Sequence, residues 1–299
     1  MISLISENIS SARTKGLSVI INTDFAIDRQ SAGMVGNAHT YHYHNAYEIY
    51  YLLSGDRYYF IKDRTYHAKR GALVFISPGE IHCASNYSEE AYKRILISFK
   101  KDYLSGLWEA LGGQNIFRCF ENENHLVELS EEEIPRVEAI LHLMLSEYKN
   151  LASDSESILK TSLYQLLAVA SRRESKKTEN ETSNSDSVQK TVSEVAAYIN
   201  NTYFADMRLL NLAESFYISP CYLSRIFKRV TGSSIVDYVN GVRIKESRRF
   251  LTDTNKKISE IADLVGYKSM THFGRAFKSV TGLSPAEYRK MTRQKSIDI

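Results

Sequence analysis

The stretch HYHNAYE, residues 42–48, places two imidazoles and a carboxylate within seven positions: His42, His44 and Glu48. These are groups that bind transition metals, and they are equally groups that hydrogen-bond a polar small molecule. On a β-strand, residues i and i+2 share a face, so His42 and His44 are aimed to the same side. Chemistry at a bound metal and simple recognition are therefore both open at this point, and the elements that hold these residues have to be read before choosing.

Those elements are short strands. EIYYLL (48–53), RYYFI (57–61) and ALVFI (72–76) are rich in β-branched and aromatic residues, and Ser54-Gly55-Asp56 and Lys69-Arg70-Gly71 separate them as turns. Strands broken this often predict an antiparallel barrel or sandwich over residues 1–130. From 131 to 171 the period changes. A Ser130…Glu133 capping box precedes Ile134, Val137, Ile140, Leu141, Met144, Leu145 and Tyr148 at helical spacing, with Pro135 placed in the first turn. A second stripe follows in Ile158, Leu159, Leu163, Leu166 and Leu167. Two such helices cover the barrel or form a subunit interface, and the sequence leaves both open. Residues 172–190, RRESKKTENETSNSDSVQK, hold almost nothing apolar and read as a flexible linker to a second domain at 191–293.

Composition supports two soluble-type domains. Of 299 residues, 43% are hydrophobic and 24% charged, which are globular values. No apolar run approaches the roughly 20 residues of a membrane span, and the serine-rich start MISLISENISSARTK lacks the apolar core of an export signal, so a cytoplasmic location and no membrane partner are expected. Cys83, Cys119 and Cys221 are widely spaced and form no CxxC, which argues against a disulfide framework or a zinc knuckle. The net charge of +3 is unevenly divided. Residues 188–299 carry 18 basic and 10 acidic side chains, the rest 20 basic and 25 acidic. A basic C-terminal part joined to an acidic N-terminal part points to nucleic acid as a partner of the former.

That C-terminal part is a duplication. LAESFYISPCYLSRIFKRVTG (212–232) and IADLVGYKSMTHFGRAFKSVTG (261–282) align at an offset of 50 from Leu223/Phe273 through Arg225/Arg275, Phe227/Phe277, Lys228/Lys278 and Gly232/Gly282. Upstream the offset is 49, so the second copy has one extra residue in its turn. Each copy reads as helix, tight turn, helix, over about 209–230 and 257–280. Ser219-Pro220 opens the second helix of copy one and Gly232 stops it. Leu223, Ile226, Phe227 and Val230 fall on one face, as do Phe273, Ala276, Phe277 and Val280. That leaves Cys221, Ser224, Arg225 and Lys228, and Met270, Thr271, Gly274, Arg275 and Lys278, on the other. Small polar residues around one arginine, with lysine at the rim, suit a major groove, where arginine grips guanine and lysine neutralises phosphate. A single copy reads as an ordinary solvated helix face; the repeat of Arg and Lys at one register favours DNA. Between the copies a helix from Ser234 to Leu251 spans roughly 25 Å at about 1.5 Å per residue, enough to hold the two units about one DNA turn, roughly 34 Å, apart.

With RIKESRRFL and IADLVGYKSMTHFGRAFKSVTGLSPAEYR, these stretches resemble the double helix-turn-helix domain of AraC/XylS-type transcription regulators, over residues 192–291. The resemblance implies a regulator, more often an activator, that binds promoter DNA through both units at the nine positions above, with RNA polymerase as partner and a homodimer as the working form. Gly274 departs from the polar residue often found at its position, and Cys221 is unusual for hydrogen-bonded readout. The pattern HxHxxxExxxxxxG ending at Gly55, followed by Gly71…Pro78-Gly79-Glu80-Ile81-His82…Asn86, is similar to the two halves of a cupin barrel motif. In metal-holding cupins His42, His44, Glu48 and His82 match the ligands, a set suited to Mn, Fe, Ni or Zn. In cupin-type regulators the same pocket more often takes an effector. Lined by His42, His44, Glu48, His82 and several of the clustered tyrosines Tyr41, Tyr43, Tyr50, Tyr58 and Tyr59, it suits a sugar. The expected fold is thus α+β: a jelly-roll-like cupin barrel with two accessory helices, then an all-α double helix-turn-helix domain. The competing readings are a metal-dependent cupin enzyme, a dioxygenase or isomerase, carrying a DNA-binding tail, and a barrel that binds a protein partner.

Overall fold

The structure is a computed structural model and describes residues 18–19, 23–32, 42–86, 91–111, 115–150, 152–174 and 187–295. Tyr41 and most of the predicted linker, residues 175–186, lie outside the described residues.

The N-terminal part is antiparallel β-structure. Its strands are β1 (Ser18–Val19), β2 (Phe25–Ala32), β3 (Tyr43–His44), β4 (Tyr47–Ser54), β5 (Arg57–Ile61), β6 (Arg64–Ala68), β7 (Ala72–Ile76), β8 (His82–Asn86), β9 (Tyr92–Phe99) and β10 (Leu126–Glu128). Five strands pair in the order β10-β7-β4-β9-β2 and three in the order β6-β5-β8. A parallel β1–β3 pair and a bridge between His42 and His82 supply further pairing. This is the predicted jelly-roll-like arrangement of two sheets, and among the described residues their ladders do not run on into one closed ring.

Alternation explains the layers. Along β4, Ile49 and Tyr51 join Leu73, Phe75, Ile95, Ile97 and Phe99 on one face of the five-stranded sheet. Tyr50 and Leu52 join Tyr59, Ile61, Val74, Ala84 and Leu96 on the other, between the sheets. Two four-residue helices, α1 (Leu107–Ala110) and α2 (Arg118–Glu121), lead to α3 (Glu133–Asn150) and α4 (Ser155–Glu174). The apolar stripes of α3 and α4 are buried against the outer sheet face: Val137, Leu141, Met144, Leu163, Leu166 and Leu167 all join its cluster. The two helices cover the sheet with these stripes. The Ser130–Glu133 box forms, with the Ser130 amide donating to Glu133 Oε2 at 2.8 Å.

The C-terminal domain is helical: α5 (Ser187–Thr202), α6 (Leu209–Ser215), α7 (Pro220–Thr231), α8 (Ile235–Asp253), α9 (Ile258–Leu264), α10 (Met270–Thr281) and α11 (Pro285–Lys295). Val195, Ile199, Leu212, Leu223, Phe227, Ile244, Phe273 and Phe277 form its core. No described helix is long and apolar enough to cross a membrane.

This core does not stop at the domain boundary. Tyr43, Phe60, Ile81 and Cys83 of the β-domain are part of it. The Cys83 thiol donates to the Thr231 carbonyl at 2.8 Å, the Tyr238 hydroxyl donates to the Lys62 carbonyl at 2.7 Å, and the Arg248 guanidinium lies 5.1 Å from the Tyr43 ring centroid. The β-domain is therefore docked on the end of α7 and the flank of α8.

Candidate nucleic-acid interface and effector site

The two helix-turn-helix units are built by the same local rules. At the start of α7 Ser219 accepts from the Tyr222 amide at 3.2 Å, and at the start of α10 Ser269 accepts from the His272 amide at 3.4 Å. At the far ends Gly232 and Gly282 adopt φ of +72° and +78°, each donating its N–H to a lysine carbonyl, Lys228 or Lys278, at 2.9 Å. Only glycine takes that left-handed conformation at little cost, so both helices stop at the same register. The linking α8 starts at Ser234, whose hydroxyl accepts from the Asp237 amide at 3.1 Å.

The buried and exposed faces fall as the repeat predicts. Leu223, Ile226 and Phe227 are buried on α7, and Phe273, Phe277 and Val280 on α10. Cys221, Ser224, Arg225 and Lys228 are exposed together, as are Met270, Thr271, Arg275 and Lys278, with Gly274 half-buried among them. Neither arginine makes a salt bridge among the described residues, and Arg225 only leans over its neighbour Tyr222, 5.6 Å from the ring centroid. A Cβ built on Gly274 would meet nothing within 4 Å, so this position is a smooth patch that offers no side-chain donor. The first unit's face lines a shallow groove of about 570 Å³ that also includes Arg229, which pattern reading had not singled out. Arg229, one step round the helix from Lys228, borders the groove from its edge.

Four of the six predicted pocket residues converge at one end of the space between the sheets. His44 Nε2 lies 3.0 Å and His82 Nε2 3.5 Å from Glu48 Oε2. The His42 ring centroid is 4.4 Å from that of His82 and 6.0 Å from that of His44. A ligand nitrogen from each of the three histidines falls within 4.8 Å of the others. His44, Glu48 and His82 are buried. The loop after β3 and the turn before β8 fix the rings, because His44 Nδ1 donates to the Ala46 carbonyl and His82 Nδ1 to the Glu80 carbonyl, each at 2.9 Å. That choice of tautomer turns Nε2 of both rings toward the Glu48 carboxylate. Burial works against charge on both partners. For Glu48, the charge of His44 and hydrogen bonds from His44 and His82 outweigh it and hold the carboxyl well below its usual range. For His44, the attraction of Glu48 outweighs burial and raises the imidazole.

Two neutral rings with their Nε2 lone pairs facing a carboxylate would repel it. A proton or a cation between them removes that repulsion, so the donor set fits a divalent metal as well as a protonated histidine. The carbonyl-anchored Nδ1–H groups are the orienting contacts that metal-binding histidines use. Tyr50 and Tyr59 extend this end of the pocket, their ring centroids 5.1 Å apart, and burial raises both phenols so that they remain donors. Ser98, whose hydroxyl donates to Glu48 Oε1 at 3.2 Å, joins the histidine–glutamate cluster, whereas Tyr43 is buried in the core of the helical domain and Tyr58 lies on the other face of β5 beside His67.

A buried histidine–glutamate cluster inside a β-domain, docked on a basic domain with two capped helix-turn-helix units, has the make-up of a ligand-responsive DNA-binding regulator. Comparison with known families agrees: residues 24–167 match the AraC-like ligand binding domain and residues 212–291 match a helix-turn-helix domain. The chain belongs to the AraC family of transcriptional regulators, and it is a DNA-binding protein with a ligand-binding domain rather than an enzyme. An uncharacterized HTH-type transcriptional regulator of Bacillus subtilis, YisR, is 25% identical over 269 residues, covering 87% of this chain and 91% of the relative. The Msm operon regulatory protein of Streptococcus mutans is 35% identical over 140 residues, 47% of this chain and 50% of that protein. The melibiose operon regulatory protein of Escherichia coli is 32% identical over 104 residues, 35% of this chain and 34% of that protein.

Proposed function

We propose that this regulator activates transcription in response to a carbohydrate bound between the β-sheets, reading promoter DNA with α7 and α10 together and acting as a homodimer alongside RNA polymerase. One observation carries the DNA half: Arg225 and Arg275, with Lys228 and Lys278, stand exposed at matching registers on two helices that begin and end at the same type of cap. Arginine at such a position reads a base edge and lysine takes a phosphate. Cys221, Ser224, Met270 and Thr271 complete the two faces, and Gly274 lets the backbone approach without contributing a bond. The sugar half is supported by the His, Glu and Tyr lining of the site and by a relative named for the melibiose operon.

The seam supplies the coupling. His44 and Tyr43 are neighbours on β3, and His82 and Cys83 on β8, so alternation sends the histidines inward and sends Tyr43 and Cys83 onto α8 and the end of α7. A ligand that re-sets the histidines moves residues that grip the DNA-binding domain. Differential affinity for the two positions of those strands then shifts the population of DNA-binding forms.

The arrangement of Nε2 atoms supports a second reading of the same site, in which His42, His44, Glu48 and His82 hold a divalent metal. Bound there, the metal would act as a Lewis-acid anchor for an effector hydroxyl. Adding Mn, Ni or Zn to the chelator-treated full chain and following its melting separates the readings. A stabilisation that His44→Ala abolishes favours the metal; unchanged melting removes it.

The DNA half is tested by presenting the full chain with a pool of random duplexes. Enrichment of a two-part motif with half-sites about one turn, roughly 34 Å, apart is expected. Recovery of the pool without enrichment at physiological salt overturns it.

A further inference from the structure

The far end of the same inter-sheet space holds two arginines that no feature of the pocket reading uses. Arg57 opens β5 and shares its inward face with Tyr59 and Ile61. It is 0% exposed, and among the described residues none of its Nε, Nη1 and Nη2 atoms has a hydrogen-bond partner. Among the described residues no carboxylate pairs with it, and its guanidinium carbon lies over the face of Tyr92, 3.8 Å from the ring centroid. Arg94, on β9, is 5% exposed; its Nη2 donates to Gln30 Oε1 at 2.8 Å, its Nε has no partner, and it lies 4.8 Å from the Tyr50 ring centroid. Asp28 accepts from Gln30 Nε2 at 2.9 Å and makes no salt bridge among the described residues. The buried acids Glu48 and Glu80 are paired elsewhere, with His44 at 3.0 Å and Lys62 at 2.7 Å.

A guanidinium does not give up its proton at any working pH, so burial cannot neutralise it as it can a lysine or a carboxyl. A buried charge without a counter-ion is among the least stable arrangements in a protein interior, and cation–π contact offsets only part of the loss of water. Native chains bury such a group where an anion completes it. Strand register places this charge relative to the histidines. Glu48 pairs with Ser98 and Ile61 with His82 at one end; Leu52 pairs with Arg94 and Arg57 with Asn86 at the other. Tyr50 and Tyr59 lie between them. Four residues of strand separate the two ends, about 13 Å along the backbone.

We infer that the effector is a small organic anion bound across this axis. Its carboxylate or phosphate is taken by the planar forks of Arg57 and Arg94, its body lies against Tyr50 and Tyr59, and its hydroxyls reach the histidine–glutamate end. This rests on the effector reading above and narrows it: a neutral sugar leaves the Arg57 charge uncompensated, whereas a sugar acid or sugar phosphate pairs it.

The test follows melting and binding of the full chain with three probes of one ring type: glucose, glucuronate and glucose 6-phosphate. The expected result is that at least one charged probe raises the melting temperature and binds at least tenfold more tightly than glucose. Response to glucuronate alone identifies a carboxylate, and response to the phosphate alone identifies a phosphate ester. Arg57→Met removes a buried unpaired charge, so it is expected to melt no lower than the parent without ligand while losing the preference for the charged probe. Arg94→Gln weakens that preference as well and serves if Arg57→Met does not fold. The inference is overturned if neither charged probe shifts the melt, if glucose shifts it equally, or if both variants keep the parent's preference. Loss of motif enrichment in the duplex selection, with anion preference intact, counts against the DNA-binding reading and not against this one.

Discussion

The two helix-turn-helix units are copies in sequence and in backbone, yet they face different neighbours. In the first, α7 ends at Thr231, whose carbonyl accepts the Cys83 thiol of the β-domain. In the second, α10 ends at Thr281, and Phe277 packs edge-on to Tyr288 of α11, 5.5 Å between centroids, within its own domain. The counterpart of that contact in the first unit is Phe227 against Tyr238, at 5.2 Å, and the Tyr238 hydroxyl reaches across to Lys62. Among the described residues the first unit therefore touches the β-domain directly, whereas the second reaches it at one remove, through Arg248, which donates to Tyr288 and leans on the Tyr43 ring. Duplication supplied two matching units, and docking gave them unequal contact with the β-domain.

The largest expected effect tests that wiring. Phe227→Ala and Phe277→Ala each remove a fully buried ring and should each destabilise the helical domain by about 3–5 kcal/mol in urea unfolding. They should differ at the seam. Cys83 is buried, and burial pushes its thiol up to about 12, so it resists alkylation while docked. Mass mapping should find Cys83 alkylated faster in Phe227→Ala but not in Phe277→Ala. Equal rates would mean that the two units are equally coupled to the sensor.

Next in size is the turn of the second unit. Gly266 has φ of +91°, and a Cβ there would come within 2.7 Å of the Phe204 carbonyl oxygen. Gly266→Ala combines a left-handed alanine with a backbone clash and should cost about 2–3 kcal/mol of stability. A smaller loss would show that the Phe204 segment gives way easily. On DNA, Arg225→Ala and Arg275→Ala should each weaken specific binding by about 1–3 kcal/mol, measured against an enriched duplex. If the first unit alone is subject to effector control, Arg275→Ala weakens binding by the same factor with and without effector, whereas the Arg225→Ala penalty changes. A double variant that still separates its motif from random DNA would overturn the assignment of both faces.

Much of this was readable from residue order because it is local. Serine before a helix, glycine after it and an apolar residue every third or fourth position are fixed by neighbours within one turn, so both units, their caps and their exposed arginines follow from spacing alone. The convergence of His42, His44, Glu48 and His82 was readable through a motif that spans two strands. The seam was not. Tyr43 and Cys83 look like ordinary strand residues, and their burial depends on a domain more than a hundred residues away. Arg57 was hidden for a similar reason, since it follows the Gly55-Asp56 turn and resembles a solvated turn charge until the second sheet closes over it. Arg243 and Arg248 of α8 are half-buried, Arg243 donating to the Tyr203 carbonyl at 2.8 Å and Arg248 to the Tyr288 hydroxyl at 2.9 Å. Long basic side chains can satisfy themselves under a neighbouring element, which their charge alone does not reveal.

The smallest effect is also the sharpest comparison between the units. Tyr217 occupies the place in the first turn that Gly266 holds in the second, and both are left-handed, Tyr217 at φ +56°. The hydrogen bonds around them match: Ile218 donates to the Ala213 carbonyl at 3.0 Å, and Tyr267 to the Ala262 carbonyl at 2.9 Å. Tyrosine in that conformation carries a strain of about 1 kcal/mol that glycine lacks, while glycine gives back roughly half of that through the freedom of the unfolded chain. The ring is 96% exposed, so its removal leaves no cavity. Tyr217→Gly should therefore stabilise the domain by about 0.5 kcal/mol, read as a small rise in urea midpoint at constant slope. The exposed ring beside the reading helix then invites the second measurement. If Tyr217→Gly is more stable but binds duplex more weakly, the strain is retained for DNA contact by the first unit, and the two turns differ in function as well as in sequence.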